Sequence, residues 1–339
     1  FESQVYTGIR QVKDTDTHKY RTLCQTLAGR GAENFDTLWE EIEYWELYKA
    51  LEAFAVLLIS KAESLLYPED PSQLQKKILT DKVQALTDEL KESALAFYAA
   101  AQKFAAAEGF KVSPPEKQFR QFNKMFSAVV LSARIAVLRN PSADDGEELL
   151  KSKYDNDFIA YAAAAEKSLP ILLICLASVE ELAACGCAKR FNFARKFAEY
   201  IRRTGCANAP DRHQLMRVFA LAPLAEKTVL LNDLKKASYE LAALFVQSED
   251  AALLSGNNFF DGIQWFNKEL SDSSLTYFAA EATLYAPEEK KNFVRALYFL
   301  LNDAKIKASF KSELFIKQFA PNKGSKALPP VGKREAAKI

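Results

Sequence analysis

The stretch Lys117-Gln-Phe-Arg-Gln-Phe-Asn-Lys-Met-Phe-Ser-Ala-Val-Val-Leu-Ser-Ala-Arg-Ile-Ala-Val137 decides the fold class. Phe119, Phe122, Phe126, Val129, Ala133 and Val137 recur every three or four residues, so a helix gathers them onto one apolar stripe. Pro114 and Pro115 break the chain just upstream, and Asn140-Pro141 opens an acidic loop that runs to Gly146.

The same reading extends outward in both directions. Glu33 to Tyr67 reads as one or two helices, with Trp39, Ile42, Leu47 and Leu51 in the apolar pattern and Tyr67-Pro68 as the stop. Gln73 to Ala107 follows, Ala-rich in its second half and closed by Gly109 at a C′ position. Downstream, helices are expected over about 147–166, over 171–203 and, after a loop at 204–210, over 221–245. In the last of these, Leu224, Leu231, Leu234, Leu241 and Phe245 step by seven, three, seven and four. Gly256 to Asp261 reads as a turn, and helices from about Trp265 to Tyr285 and from Pro287 to Asp303 complete the regular part. Nothing reads as a sheet and no repeat of fixed period emerges. The expected architecture is all-α, a multi-helix bundle of long antiparallel helices with short loops. It occupies residues 1–320 as one helical domain. Residues 321–339, with Pro329-Pro330 and five basic residues against Glu335, read as a flexible basic tail or linker.

Composition narrows the function. Hydrophobic residues make up 49% of the 339, including 24 Phe and 13 Tyr, which is enough for a substantial core. Lys plus Arg (45) nearly balances Asp plus Glu (44), which argues against nucleic acid as the partner, since phosphate binding needs surplus basic charge. The richest apolar run, Leu169 to Ala184, contains Pro170, Ser178, Glu180 and Glu181 and falls short of the roughly 20 residues that span a bilayer. Cys24, Cys175, Cys185, Cys187 and Cys206 are odd in number and lack framework spacing, so they read as thiols in a reducing, cytoplasmic setting. The first residue is Phe1 and not Met, so the expected N-terminus lies upstream, and the sequence leaves open whether a signal peptide or lipidation site is there.

Catalytic chemistry is not evident in the sequence. His18 and His213 stand alone and suit surface or loop positions. Cys185-Gly186-Cys187 lacks the second pair of a zinc site and the two-residue spacer of thioredoxin-type motifs, so buried helical thiols are the plain reading. No Gly-rich phosphate loop occurs. Glu40-Glu41 and Glu180-Glu181, adjacent on helices, point apart and suit solvated faces better than acid–base work. These readings imply no enzyme, no metal and no cofactor. One charged cluster stands out: Lys189, Arg190, Arg195, Lys196, Arg202 and Arg203 form either a solvated helix face or a docking patch for an acidic protein or anionic lipid.

Three stretches in order resemble the Rac-binding helical domain of the CYFIP/CYRI family, whose members belong to the WAVE regulatory complex or regulate it. Phe1-Glu2 with Val5-Tyr6-Thr7-Gly8-Ile9-Arg10, followed by Tyr44-Trp45, is similar to the family's N-terminal edge. Phe122-Asn123-Lys124-Met125-Phe126, leading to Asn156-Asp157-Phe158-Ile159-Ala160-Tyr161, resembles its central helices. Ala286-Pro287-Glu288-Glu289-Lys290 and Leu300-Leu301-Asn302-Asp303 resemble the start and end of its last helix. The resemblance implies a cytoplasmic module of actin regulation, or one at the inner face of the plasma membrane, that binds a Rac-type small GTPase or WAVE-complex-like subunits. Its GTPase surface would be an exposed helix carrying Lys153, Asn156, Asp157, Tyr161 and Lys167. The family's basic residues after the Tyr are here Ala162 and Ala163, which implies GTPase binding that is weakened, moved or lost. The alternatives are a helical scaffold subunit without the GTPase site, and a peripheral membrane protein that docks through the 189–203 cluster.

Overall fold

A computed structural model gives the chain's fold and describes residues 13–14, 18–28, 34–70, 73, 75–139 and 158–320. The chain is all-α, as expected, with a single small hairpin among the described residues. The helices are α1 (Lys19–Leu27), α2 (Phe35–Glu43), α3 (Trp45–Leu66), α4 (Lys76–Ala107), α5 (Pro115–Arg139), α6 (Phe158–Ala165), α7 (Leu169–Ala184), α8 (Cys187–Arg190) and α9 (Phe193–Thr204). Then follow α10 (Arg212–Val229), α11 (Leu234–Gln247), α12 (Ala251–Ser255), strands β1 (Asn258–Phe260) and β2 (Ile263–Trp265), α13 (Lys268–Tyr285), α14 (Glu288–Lys307) and α15 (Ser312–Lys317). The acidic loop and the tail at 321–339 lie outside the described residues.

Helices α3 and α4 run antiparallel, as three cross-contacts show. Glu46 meets Lys103, Phe54 stacks on Phe97, and Lys61 approaches Glu89, so one number rises as the other falls. Helix α5 packs next to α4 and presents its stripe inward. Phe122 sits edge-on to Phe54 at 5.3 Å and stacks on Phe126 at 5.5 Å. The stripe that opens this account is therefore core, with Phe119, Phe122, Phe126, Val129 and Ala133 all buried.

Helix α7 lies at the centre. Every residue from Leu169 to Val179 is buried, because α3, α5, α6 and α10 each cover part of its circumference. A helix that is apolar all round belongs either in such a core or in a lipid bilayer. No helix among the described residues is long and apolar enough to cross a membrane. Pro170 falls in the first turn of α7, where its missing N–H costs nothing, so it starts this helix instead of interrupting it. The second half of the chain wraps around α10: α13 packs along it, α14 along α13, and α11 against α14.

Three sequence expectations need correction here. The run 171–203 is three helices, because Gly186 (φ 89°) and Asn192 (φ 50°) turn the chain through the left-handed region. The run 221–245 is divided between α10 and α11. Leu230 ends the first, and the side chain of Asp233 accepts the N–H groups of Lys235 and Lys236 to start the second. The turn at 256–261 belongs to an antiparallel hairpin in which Asn258 pairs Trp265 and Phe260 pairs Ile263. Its two-residue loop, Asp261-Gly262, has both residues at positive φ, and Asp-Gly is a preferred pair for such a loop.

Candidate functional site

The basic cluster is built by α8 and α9, and the fold brings carboxylates to it from four distant elements. Arg190 donates to Glu108 at the end of α4 through Nη2 at 2.6 Å and Nε at 3.0 Å. Arg195 donates to Glu41 on α2 at 2.7 Å and reaches Glu40 at 3.5 Å. Lys196, only 4% exposed, lies 2.6 Å from the Glu41 carboxylate and 3.3 Å from Glu199. Arg203 binds Glu52 on α3 at 2.5 Å and also Glu199, while Lys189 binds Asp250 at 2.9 Å.

Aromatic faces line the same seam. Lys196 Nζ sits 4.5 Å from the ring centre of Tyr48, and Arg190 and Arg203 lie over Tyr44 and Tyr200. Tyr200 donates to the Tyr48 carbonyl, and Tyr48 donates to the carbonyl of Phe191.

Five of the six cations have carboxylate partners within the chain, and Arg195 and Lys196 are withdrawn into the seam, whereas Lys189, Arg190, Arg202 and Arg203 remain exposed. The cluster is thus in part a solvated face, as one reading expected, and in part a buried ion-pair seam, with little unpaired charge left to dock an anion. It closes α8 and α9 onto α2, α3 and α4. Arg202 alone is exposed with no carboxylate partner among the described residues. Glu40 and Glu41 are likewise half-buried ion-pair partners and not a solvated face. Burial pushes the Glu41 carboxyl up, but hydrogen bonds and charge from Lys196 and Arg195 outweigh it and hold the pKa below its ordinary 4.5.

The expected GTPase surface divides differently. Lys153, Asn156 and Asp157 lie outside the described residues, as does the N-terminal stretch 1–10. In α6, Phe158, Ile159, Ala160, Ala162 and Ala163 are buried against α5 and α13. Tyr161 is half-buried in a ring cluster with Phe158 and Tyr298. Lys167 is exposed, and its carbonyl accepts the Tyr67 hydroxyl at 2.7 Å. The described part of this helix is thus a core element and not an exposed one. The positions of Ala162 and Ala163 have no room for a solvated Arg. Tyr44 is also buried, donating to Glu108 at 3.0 Å, whereas Trp45 beside it is exposed.

Several groups escaped the sequence reading. Glu180 is not a solvated carboxylate: burial, then the charge of Glu226, raises its pKa to about 7. Glu281 is fully buried, and neither carboxylate oxygen has a hydrogen-bond partner among the described residues. Burial holds its pKa far above the carboxylate range. Glu181 accepts the Ser113 N–H at 2.7 Å and ties the kink of α7 at Val179 to the loop before α5. Of the two thiols expected to be buried and helical, Cys187 is so, opening α8, whereas Cys185 is half-buried and caps the end of α7, so the two flank the break between these helices. No group of three or more His, Cys, Asp or Glu among the described residues is placed to hold a metal ion.

The hairpin is the most conspicuous exposed apolar feature. Phe259 and Phe260 are 76% and 75% exposed, and Ile263 is partly so. The hairpin is firmly seated, because Asn257 Nδ2 donates to the Val246 carbonyl at 2.9 Å and Phe266 N–H donates to the Phe310 carbonyl at 3.0 Å. Beside it a groove of about 380 Å³ runs between β2 and α15, lined by Phe259, Ile263, Ile316 and the polar ends of Gln247 and Lys317. No family model matches the chain, and no curated protein or solved structure matches it significantly.

Proposed function

We propose that the chain is a helical scaffold that binds a protein partner, a CYFIP/CYRI-like subunit of a WAVE-type actin-regulating assembly that lacks the family's GTPase contact on α6. The observation that carries this reading is the pair Phe259 and Phe260, consecutive in β1 and both about three-quarters exposed, one on each face of a hairpin that is hydrogen-bonded to the body of the fold. Neighbouring aromatic side chains standing out of a fixed support suit the anchor of a protein interface. A lipid surface fits less well. The hairpin tip carries the carboxylate of Asp261, and the one concentrated basic cluster spends its charge internally.

The scaffold reading is preferred over the Rac effector reading because Ala162 and Ala163 are core residues. A pull-down with WAVE-complex subunits and with GTP- and GDP-loaded Rac separates the two. The scaffold reading expects capture of a subunit by wild type and at least about 30-fold weaker capture after Phe259→Ser with Phe260→Ser, since each aromatic anchor is worth about 1–2 kcal/mol. It expects no difference between the two nucleotide states of Rac. GTP-dependent capture of Rac would restore the effector reading, and failure to bind any WAVE-type subunit would remove the scaffold one. Binding to anionic vesicles that disappears in salt would favour the membrane alternative.

A further inference from the structure

The thiols of Cys185 and Cys187 lie 3.2 Å apart, sulfur to sulfur. In a continuous helix, residues two apart point to nearly opposite sides. Here the helix ends at Cys185, Gly186 turns the chain at φ 89°, and Cys187 opens the short α8. The turn therefore brings the two sulfurs together. Nothing lies within 4 Å of the place where a side chain on Gly186 would begin, so the turn faces open space.

The two thiols differ in access. Cys185 is half-buried and Cys187 is fully buried. This is the division between an attacking and a resolving thiol. A cavity of about 180 Å³ adjoins the turn, with Ala183, Gly186, Ala188 and Lys189 on its wall and the Lys189–Asp250 pair at its rim.

We propose that Cys185 and Cys187 form a redox-active dithiol that exchanges with low-molecular-weight disulfides of the glutathione type. Cys185 attacks first, as thiolate, on one sulfur of the disulfide; the sulfur–sulfur bond breaks and one glutathione leaves as thiolate, which takes up a proton. Cys187 then gives up its proton to solvent and attacks Cys185 Sγ, and the second glutathione leaves. The net change oxidises two protein thiols to one disulfide and reduces one glutathione disulfide to two thiols. The electrostatics favour this order. The hydrogen bond from Cys187 lowers Cys185 to about 7 against its burial and the nearby Glu181 carboxylate. The same bond, with burial and the charges of Cys185, Glu108 and Glu181, pushes Cys187 up.

The test uses the full chain carrying Cys24→Ser, which removes the exposed thiol. The folded protein is incubated with oxidised glutathione, its free thiols are blocked, and non-reduced peptides are mapped by mass. The expected product is a Cys185–Cys187 disulfide, with Cys175 and Cys206 still reduced. Cys187→Ser should stop at glutathione joined to Cys185, and Cys185→Ser should leave Cys187 unmodified. Alkylation of Cys185 should be half-maximal near pH 7, moving upward by about one unit or more in Cys187→Ser, as loss of the stabilising donor demands. Native protein that keeps both thiols reduced, or reacts equally well without Cys185, overturns the proposal. So does a Cys185 alkylation midpoint that does not move in Cys187→Ser. Circular dichroism of each variant confirms that the fold is kept.

Discussion

Glu41→Gln is the perturbation that asks most of the ionic seam. Glu41 is the shared acceptor of Lys196 at 2.6 Å and Arg195 at 2.7 Å. Its removal leaves Lys196 with only Glu199 at 3.3 Å, and Arg195 with only Glu40 at 3.5 Å. Lys196 sits on Tyr48 and is 6% exposed in its side chain, so water cannot replace the lost carboxylate. Breaking a fully buried pair from one side costs ~3–5 kcal/mol. The Glu41 side chain is 32% exposed and secondary partners remain. Solvent screening and those partners reduce the expected loss to about 2 kcal/mol. For a chain this long that is a fall in Tm of roughly 3 °C, read by circular dichroism, with a matching fall in the urea midpoint. Glu46→Gln is the control: its 2.5 Å pair with Lys103 is exposed on both sides, and its loss should cost ~0–1 kcal/mol.

The pH dependence has a definite sign. Because the folded pKa of Glu41 is depressed, its contribution is whole above the ordinary 4.5 and is lost as pH falls through the lower folded value. The gap between wild type and Glu41→Gln should therefore close in acid. If the two Gln variants melt together at neutral pH, the seam is ornamental and the docking-patch reading of α8 and α9 regains its standing.

Glu281→Met should stabilise the fold by about 1–3 kcal/mol, since it removes a buried carboxyl with no hydrogen-bond partner among the described residues. The raised pKa of Glu281 makes the gain smallest below the ordinary carboxylate pKa and larger as pH rises, which melting curves across pH will show. Ala162→Arg should cost at least about 3 kcal/mol or prevent folding, whereas Ala165→Arg, at an exposed site of the same helix, should stay within about 0.5 kcal/mol. Equal tolerance in urea titrations would refute the burial of α6. Gly262→Ala, at φ 71°, should weaken the hairpin by about 1–2 kcal/mol and speed amide exchange over 258–265. Uniform change across the whole chain would show that the hairpin is not an independent appendage.

The long helices were legible because a stripe such as Phe119 to Ala133 carries its own geometry: spacing alone states which face is buried. Breaks were less legible, although each had a local signal. Gly186 and Asn192 are the two residue types that most readily enter the left-handed region, and Asn232-Asp233 holds an N-cap residue inside an apparently continuous pattern. The hairpin had its Asp-Gly pair, but Phe259-Phe260 hid it. Both residues face solvent, so the alternation that marks a half-buried strand is missing. The charged cluster was legible from its own neighbourhood only in Glu199, which pairs with Lys196 and Arg203 at helical spacing. Its other counterions lie 61 residues away for Lys189, 82 for Arg190 and 154 for Arg195. Only the near-equality of 45 basic and 44 acidic residues hinted at them. In a chain so balanced, a local surplus of one sign implies a surplus of the other elsewhere. A folded helical array that can bring the two together has an electrostatic reason to do so. Such a cluster is evidence of a ligand only after the chain's own carboxylates have been shown to lie elsewhere. Here they do not, and the exposed aromatic residues of the hairpin become the stronger pointer to a partner.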